Sequence, residues 1–198
     1  MKRFARLNRF ARPILVFLAI LTTSSAAHAQ AAPQYISPSE TGPHGSAPSM
    51  WVRVLTKEKG PVPVEYAVIF RDGDDPYAGL TQFAAQYHVM SAHFTAIGAF
   101  KDARLGFYDP QKKMYRLIPI DTQVEVASLV GDIAQLNGKP AVHMHCVVSM
   151  PDGRALGGHF LSAHVGPLLE VFVTTDPVLL QKKHDDATGL NLMDPGTN

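Results

Sequence analysis

The chain has 198 residues, of which 46% are apolar, and its 18 Lys and Arg nearly balance its 17 Asp and Glu. Beyond the first 12 residues no Lys/Arg-rich run occurs, so the sequence offers no electrostatic footprint for a nucleic-acid backbone. The single cysteine, Cys146, excludes an intrachain disulfide, and the fold must therefore depend on its apolar core.

The N-terminal segment has the three parts of a bacterial secretory signal peptide. A basic stretch precedes an apolar stretch at 13–21, and Ala-His-Ala at 27–29 matches the small-residue cleavage pattern. An uncleaved anchor is the weaker alternative, because a membrane span needs about 20 apolar residues. We expect residues 1–29 to be removed and the protein to be periplasmic or secreted. Removal of five of the 18 basic residues leaves 13 against 17 acidic ones, a net charge of about −4.

The rest of the sequence predicts one folded domain at 50–184, between a flexible Pro/Ser/Gly-rich leader at 30–49 and a flexible tail at 185–198. A helix is predicted within 74–89, where Asp74 or Asp75 can cap and Pro76 suits the first turn. Strands are predicted at 50–55, 64–70, 93–100, 104–108, 114–119, 123–129, 142–149, 158–165 and 168–175. Short connections favour hairpins, so we expect an α+β fold: a single compact domain with a largely antiparallel sheet and one or two packed helices.

The stretch "AVHMHCVVSMPDGRALGGHF" at 141–160 carries three histidines. Alternation along a strand places His143 and His145 on one face and Cys146 on the core face. "PDG" matches a three-residue hairpin loop with Gly153 in the left-handed position, and this loop sets His159 directly opposite His145. A loop of two or four residues would instead turn His159 to the other face.

Three imidazoles at this spacing suit a metal site that leaves one coordination position open. Spacing alone leaves a second interpretation equally open, namely a polar sheet face or a set of hydrogen-bonded histidines. The glycines at 157–158 lack a Cβ and allow a ligand or another backbone to come close. His93 and His164 are weaker candidates for a further ligand.

The stretch from Glu125 to Val171 resembles the PPC (plants and prokaryotes conserved) domain. The resemblance rests on a Glu-led strand with a Ser-Leu-x-Gly turn, His-x-His, an acidic-Gly turn, Gly-Gly-His and a Glu-Val strand. These motifs correspond to Glu125, Ser128, Leu129, Gly131, His143, His145, Asp152, Gly153, Gly157, Gly158, His159, Glu170 and Val171. With the earlier strands, the similarity covers about 50–183.

The resemblance implies a compact α/β domain, a homotrimer, and a metal site at His143, His145 and His159. Plant relatives contact DNA through an AT-hook segment, and this sequence lacks the Arg-Gly-Arg-Pro core of such a hook. The leading hypothesis is an exported homotrimer that binds a divalent metal, with zinc expected, in a binding or assembly role.

Two other functions are alternatives to this hypothesis. One is a metal-dependent hydrolase or lyase, acting on a small-molecule ligand, with Glu125 or Glu170 as general base. A structural ion pair or a trimer contact explains either glutamate equally well. The other is DNA binding, which charge and compartment disfavour.

Overall fold

The computed structural model describes residues 32–56 and 63–196. The predicted signal peptide lies outside the described residues. In chain order the elements are β1 (Tyr35–Ile36), a 3-10 helix (Pro38–Glu40), β2 (Trp51–Val54), β3 (Glu65–Arg71), α1 (Pro76–Gln86), β4 (Ala92–Asp109), β5 (Met114–Ile120), β6 (Val124–Leu136), β7 (Lys139–Ser149), β8 (Ala155–Thr175), β9 (Gln181–Asp185) and β10 (Leu190–Asp194). In the described part of the chain, no helix is both long and apolar enough to cross a membrane.

The strands form one sheet in the order β1-β5-β4-β6-β7-β8-β3-β2, and neighbouring strands in this order are antiparallel. An additional antiparallel pairing joins β4 to β8. The pairs β4–β6, β6–β7, β7–β8 and β8–β4 therefore close into a ring. The predicted largely antiparallel sheet is confirmed, and the described residues contain one α-helix, within the one or two that were predicted, so helix is a small share of the fold.

In two places, a pair of predicted strands forms one long strand. Segments 93–100 and 104–108 belong to one strand, β4, and segments 158–165 and 168–175 belong to β8. The register between β4 and β8 shifts at three places, the first between Gly98 and Phe100. Such irregularities bend a strand without ending it, so each long strand pairs with different neighbours along its length.

The core fills the inside of the ring. Its largest fully buried side chains include Phe94, Phe100, Leu105, Leu129, Met144 and Phe160, which come from the four ring strands. Helix α1 covers β7 and β8 from one side. Asp75 caps the helix by accepting hydrogen bonds from the backbone N–H groups of Tyr77 and Ala78, at 2.8 and 3.1 Å, as the sequence predicted.

The leader and the tail contain more regular structure than the sequence predicted. In the leader, β1 pairs with β5, and Ala47 reaches the core. In the tail, β10 pairs with β9, which also meets β6 at one position. These strands are short and exposed, and their pairing is mostly between backbone groups. Apolar periodicity, on which the prediction depended, does not report such pairing.

Candidate metal centre

The β7–β8 hairpin positions the three histidines. The Met150 N–H donates to the Arg154 carbonyl at 2.8 Å, and the Gly153 N–H donates to the Met150 carbonyl at 2.8 Å. Gly153 has φ +82°, the left-handed conformation that a glycine adopts without strain. The hairpin pairs His145 with His159, which confirms the predicted register.

The three imidazoles lie together on the outer face of the ring. One nitrogen from each of His143, His145 and His159 lies within 4.8 Å of the other two. The ring centroids are 5.2 Å apart for His143 and His145, 5.1 Å for His143 and His159, and 5.4 Å for His145 and His159. The sequence prediction that these residues share one face is therefore confirmed.

Strands β4 and β5 also contact His159. It pairs with Gly106 of β4, and its ring stacks on Tyr115 of β5 with a centroid distance of 4.6 Å and an interplanar angle of 13°. The preceding residue, Gly158, sits so close to β4 that a Cβ there would lie 2.7 Å from the Gly106 carbonyl oxygen. The glycine therefore permits the close backbone approach that the sequence indicated.

Asp132 of β6 is a site residue that the sequence analysis missed. It pairs across the strands with His143, and its Oδ2 lies 3.4 Å from His143 Nδ1. Its Oδ1 lies 2.7 Å from Nζ of Lys182 on β9, an ion pair whose angles fall short of a hydrogen bond. The Lys182 side chain is only 5% exposed. A carboxylate behind a ligating imidazole fixes the ring's tautomer and orientation in many metal sites.

The electrostatics of the site favour neutral imidazoles. Burial, together with the nearby His143, His145 and Lys182, lowers the pKa of His159 to about 3. Burial and His143 lower the pKa of His145. Burial alone would raise the pKa of Asp132, but its contacts with His143 and Lys182 bring that pKa below its usual value. At neutral pH the site thus combines the uncharged imidazoles of His145 and His159, the form that a metal requires, with a charged carboxylate.

This donor set fits a divalent transition metal. Zinc binds imidazole nitrogens at about 2.0–2.1 Å, which sets ligand nitrogens about 3.4 Å apart in a tetrahedron. The nitrogens here, within 4.8 Å of one another, need to approach by about 1.4 Å at most. Small side-chain rotations of the exposed His143 and His145 supply movements of this size. Imidazoles also suit copper, iron and nickel, so this donor set does not select among these ions.

Comparison with known proteins identifies the family. The Plants and Prokaryotes Conserved (PCC) domain matches residues 58–176. The chain belongs to the PCC family, and the PPC resemblance seen in the sequence is confirmed. No curated protein matches the chain.

Several solved structures share the fold. A metal-containing protein from Archaeoglobus fulgidus is 30% identical, with a TM-score of 0.62 over 70% of this chain and 99% of that one. A Ralstonia eutropha protein with a provisional DNA-binding name is 31% identical, with a TM-score of 0.63 over 72% and 96%. A Pyrococcus horikoshii PPC protein, 22% identical, has a TM-score of 0.63 over 75% and 97%.

A cavity of about 310 Å³ opens beside His143 and His159. The PCC domain contributes Tyr77, Tyr115 and Val142 to its wall, among others. The remaining wall comes from segments outside the PCC match, at 38–43 in the leader and at 182–192 in the tail.

The two glutamates proposed as general bases lie elsewhere. Glu170 pairs with Ile97 of β4 and Glu125 with Ala99 of the same strand, and both glutamates line a shallow groove of their own. Glu125 pairs with Ser149, four residues along β7 from His145, a separation of about 13 Å. The carboxylate that contacts the histidines is thus Asp132, and neither glutamate joins their group within the described residues.

The remaining candidates also lie apart from the cluster. His93 pairs with Asp176 at 2.9 Å and His164 with Asp102 at 3.0 Å. Cys146 is buried in the core, as predicted, and burial raises its pKa to about 12. A thiol in this state is not available as a ligand.

Proposed function

We propose that this PCC protein binds one divalent metal ion per chain through His143, His145 and His159, with zinc as the expected ion, in a binding or assembly role. The observation that carries the proposal is the convergence of three imidazole nitrogens within 4.8 Å on the face of a rigid hairpin. The low pKa of His159 and the carboxylate of Asp132 behind His143 support it. So does the similarity to the metal-containing protein from Archaeoglobus fulgidus.

Metal analysis tests this proposal directly. The chain is purified without chelators, dialysed, and analysed by plasma mass spectrometry before and after zinc is added in excess and removed. We expect close to one transition-metal ion per chain. A protein that retains no metal after exposure to zinc would overturn the proposal.

A metal-dependent hydrolase or lyase is the second candidate, favoured by the cavity beside His143 and His159. Binding ranks above it because the nearest carboxylate, Asp132, already contacts His143 and Lys182 and has a lowered pKa, which makes it a weak base. Turnover of simple esters by the zinc-loaded protein, lost in His145→Ala, would reverse this order.

We also propose that the chain forms a homotrimer through the sheet face next to the histidines. Four large apolar side chains on this face are 42% to 56% exposed: Ile97, Val130, Val147 and Phe172. Val130 and Phe172 both pair with Thr95, from opposite sides of β4, and Val130 also pairs with His145. An exposed apolar patch of this kind is typical of an interface between proteins.

Export is part of the proposal. The signal-peptide pattern at 1–29 supports a periplasmic or secreted location, where the chain's mature charge of about −4 disfavours DNA as a partner. N-terminal sequencing of the protein from a periplasmic extract should begin at Gln30. Full-length protein confined to the cytoplasm, or retardation of duplex DNA at low salt, would contradict this part.

A further inference from the structure

Half of the residues that line the cavity beside the histidines lie outside the PCC match. We propose that this cavity binds a small organic acid with an apolar body, with the carboxylate at the histidine end. The proposal rests on the metal site proposed above, and it concerns a ligand site whose wall is formed partly by residues outside the PCC match.

The tail segment is fixed against the PCC domain. The Gln135 N–H donates to the Leu180 carbonyl at 2.9 Å, and the Tyr108 hydroxyl donates to the Thr188 carbonyl at 2.5 Å. The ion pair of Lys182 with Asp132 ties β9 directly to the histidine cluster. These contacts hold the tail side of the cavity in place, as a ligand site requires.

The leader segment also lines the cavity and has local structure of its own. Ser37 caps the 3-10 helix at Pro38–Glu40, and the Thr41 hydroxyl donates to the Pro38 carbonyl at 2.7 Å. Strand β1, just before it, pairs with β5, the strand that carries Tyr115. The leader and the stacked partner of His159 are therefore parts of one structure.

The walls away from the histidines select an apolar body. Apart from Thr41 and Asn191, the extension residues there are mainly apolar, and they include Pro38, Pro43, Leu190 and Leu192. Ligand pockets commonly measure about 300–1,000 Å³. A cavity of about 310 Å³ therefore suits a molecule with a single ring or a short alkyl chain.

The charges at the histidine end select an anion. Imidazoles are neutral when they bind a metal ion, so they do not compensate its charge. The carboxylate of Asp132 is already neutralised by Lys182 at 2.7 Å. When bound, the ion supplies an uncompensated positive charge and an open coordination position. A carboxylate complements both features, whereas an amine of the same shape complements neither.

Cobalt(II)-loaded protein tests the inference, because the visible absorption of cobalt reports changes at the ion. The protein is titrated with acetate, 3-phenylpropanoate and 3-phenylpropylamine. We expect 3-phenylpropanoate to bind at least about tenfold more tightly than acetate, since each buried CH₂ corresponds to about fourfold in affinity. The amine should cause no spectral change.

A matched pair of variants tests whether the apolar body of the ligand lies in the cavity. Leu192 lines the cavity and is 44% exposed, whereas Leu179 is 50% exposed and does not line it. Leu192→Glu should weaken 3-phenylpropanoate binding at least about tenfold while leaving acetate binding within about twofold, and Leu179→Glu should change neither.

The outcomes separate this inference from the metal proposal. Cobalt uptake is measured first, without any acid, and a chain that takes up none overturns both. Normal uptake with equal affinities for acetate and 3-phenylpropanoate, or equal effects of the two glutamate variants, overturns the ligand site alone.

Discussion

His143 on β7 faces Asp132 on β6, with 3.4 Å between His143 Nδ1 and Asp132 Oδ2. This relationship joins the histidine hairpin to the neighbouring strand and, through Lys182, to the C-terminal β9. The proposed metal centre thus involves three strands, β6, β7 and β8, with a contact from outside the PCC match, rather than one hairpin alone.

Removal of one exposed histidine should abolish metal binding without unfolding the protein. We expect His145→Ala to lower zinc affinity at least about 100-fold, because two imidazoles cannot hold a structural zinc ion. His164→Ala, which removes an exposed histidine outside the cluster, is the matched control and should retain full metal content. Isothermal titration with zinc measures both. Equal zinc affinity in the two variants would contradict the ligand assignment.

Asp132 and Lys182 should affect metal affinity and stability differently. Asp132→Asn is expected to lower zinc affinity about 10- to 100-fold, because His143 loses its carboxylate partner. The same change leaves a buried lysine unpaired, so the free energy of unfolding should fall by about 3 kcal/mol.

The double variant Asp132→Asn/Lys182→Met separates the two effects. It should recover stability in urea unfolding, because no unpaired buried charge remains, but not zinc affinity. Recovery of zinc affinity in the double variant would show that Asp132 acts only as the partner of Lys182.

The apolar face should determine assembly. Phe172→Glu places a charge in the proposed trimer interface, and we expect light scattering to show monomers in place of trimers. Phe107→Glu changes an exposed phenylalanine near the other end of β4, away from the Thr95 that pairs with Phe172, and should leave the trimer intact. A wild-type protein that is monomeric at micromolar concentration would contradict the trimer.

The hairpin was predictable from sequence because its turn determines its register. A three-residue loop with Gly153 leaves one pairing, and that pairing sets His145 opposite His159. The same reasoning also predicts the strand partner of Asp132. Asn137 and Gly138 form a two-residue turn with φ of +52° and +75°, and counting outward from it pairs Asp132 with His143.

Other features of the site had no signal in the sequence. Alternation gives the face of a strand but not its neighbours, so Glu125 and Glu170 seemed able to reach the metal. The pairing of β4 with β6 and β8 instead places Glu125 opposite Ala99 and Glu170 opposite Ile97. Lys182 lies on a short strand without apolar periodicity, and its contact with Asp132 depends on tertiary structure alone.

Gly158 should matter more than its neighbour Gly157. An alanine Cβ at 158 would lie 2.7 Å from the backbone of β4, which cannot yield without separating the strands, whereas at 157 the nearest atoms are at 3.3 Å. We expect Gly158→Ala to lower the free energy of unfolding by about 1–3 kcal/mol and Gly157→Ala by less. Zinc affinity should fall with the first variant, because His159 follows directly. Urea unfolding and zinc titration of both variants measure the difference, and equal effects would contradict the close approach.

The stability of the metal-free protein should fall as the pH is lowered from 7.5 to 5. Burial holds the pKa of His159 at about 3, whereas the unfolded chain has a histidine pKa of about 6.5. Above pH 6.5 the imidazole is neutral in both states and contributes nothing. As the pH falls through 6.5, the unfolded chain binds a proton that the folded chain does not, so unfolding becomes easier.

The His159 contribution should reach at most about 2 kcal/mol at pH 5. His159→Phe retains a ring against Tyr115 but cannot titrate, so its unfolding free energy should vary less between these two pH values. The lowered pKa of Asp132 acts in the same direction, but only below about pH 4, where its carboxylate is protonated in the unfolded chain. Urea unfolding with chelator present, at pH 7.5 and 5, gives the comparison. An equal loss of stability in the wild type and the variant would place the titrating group elsewhere.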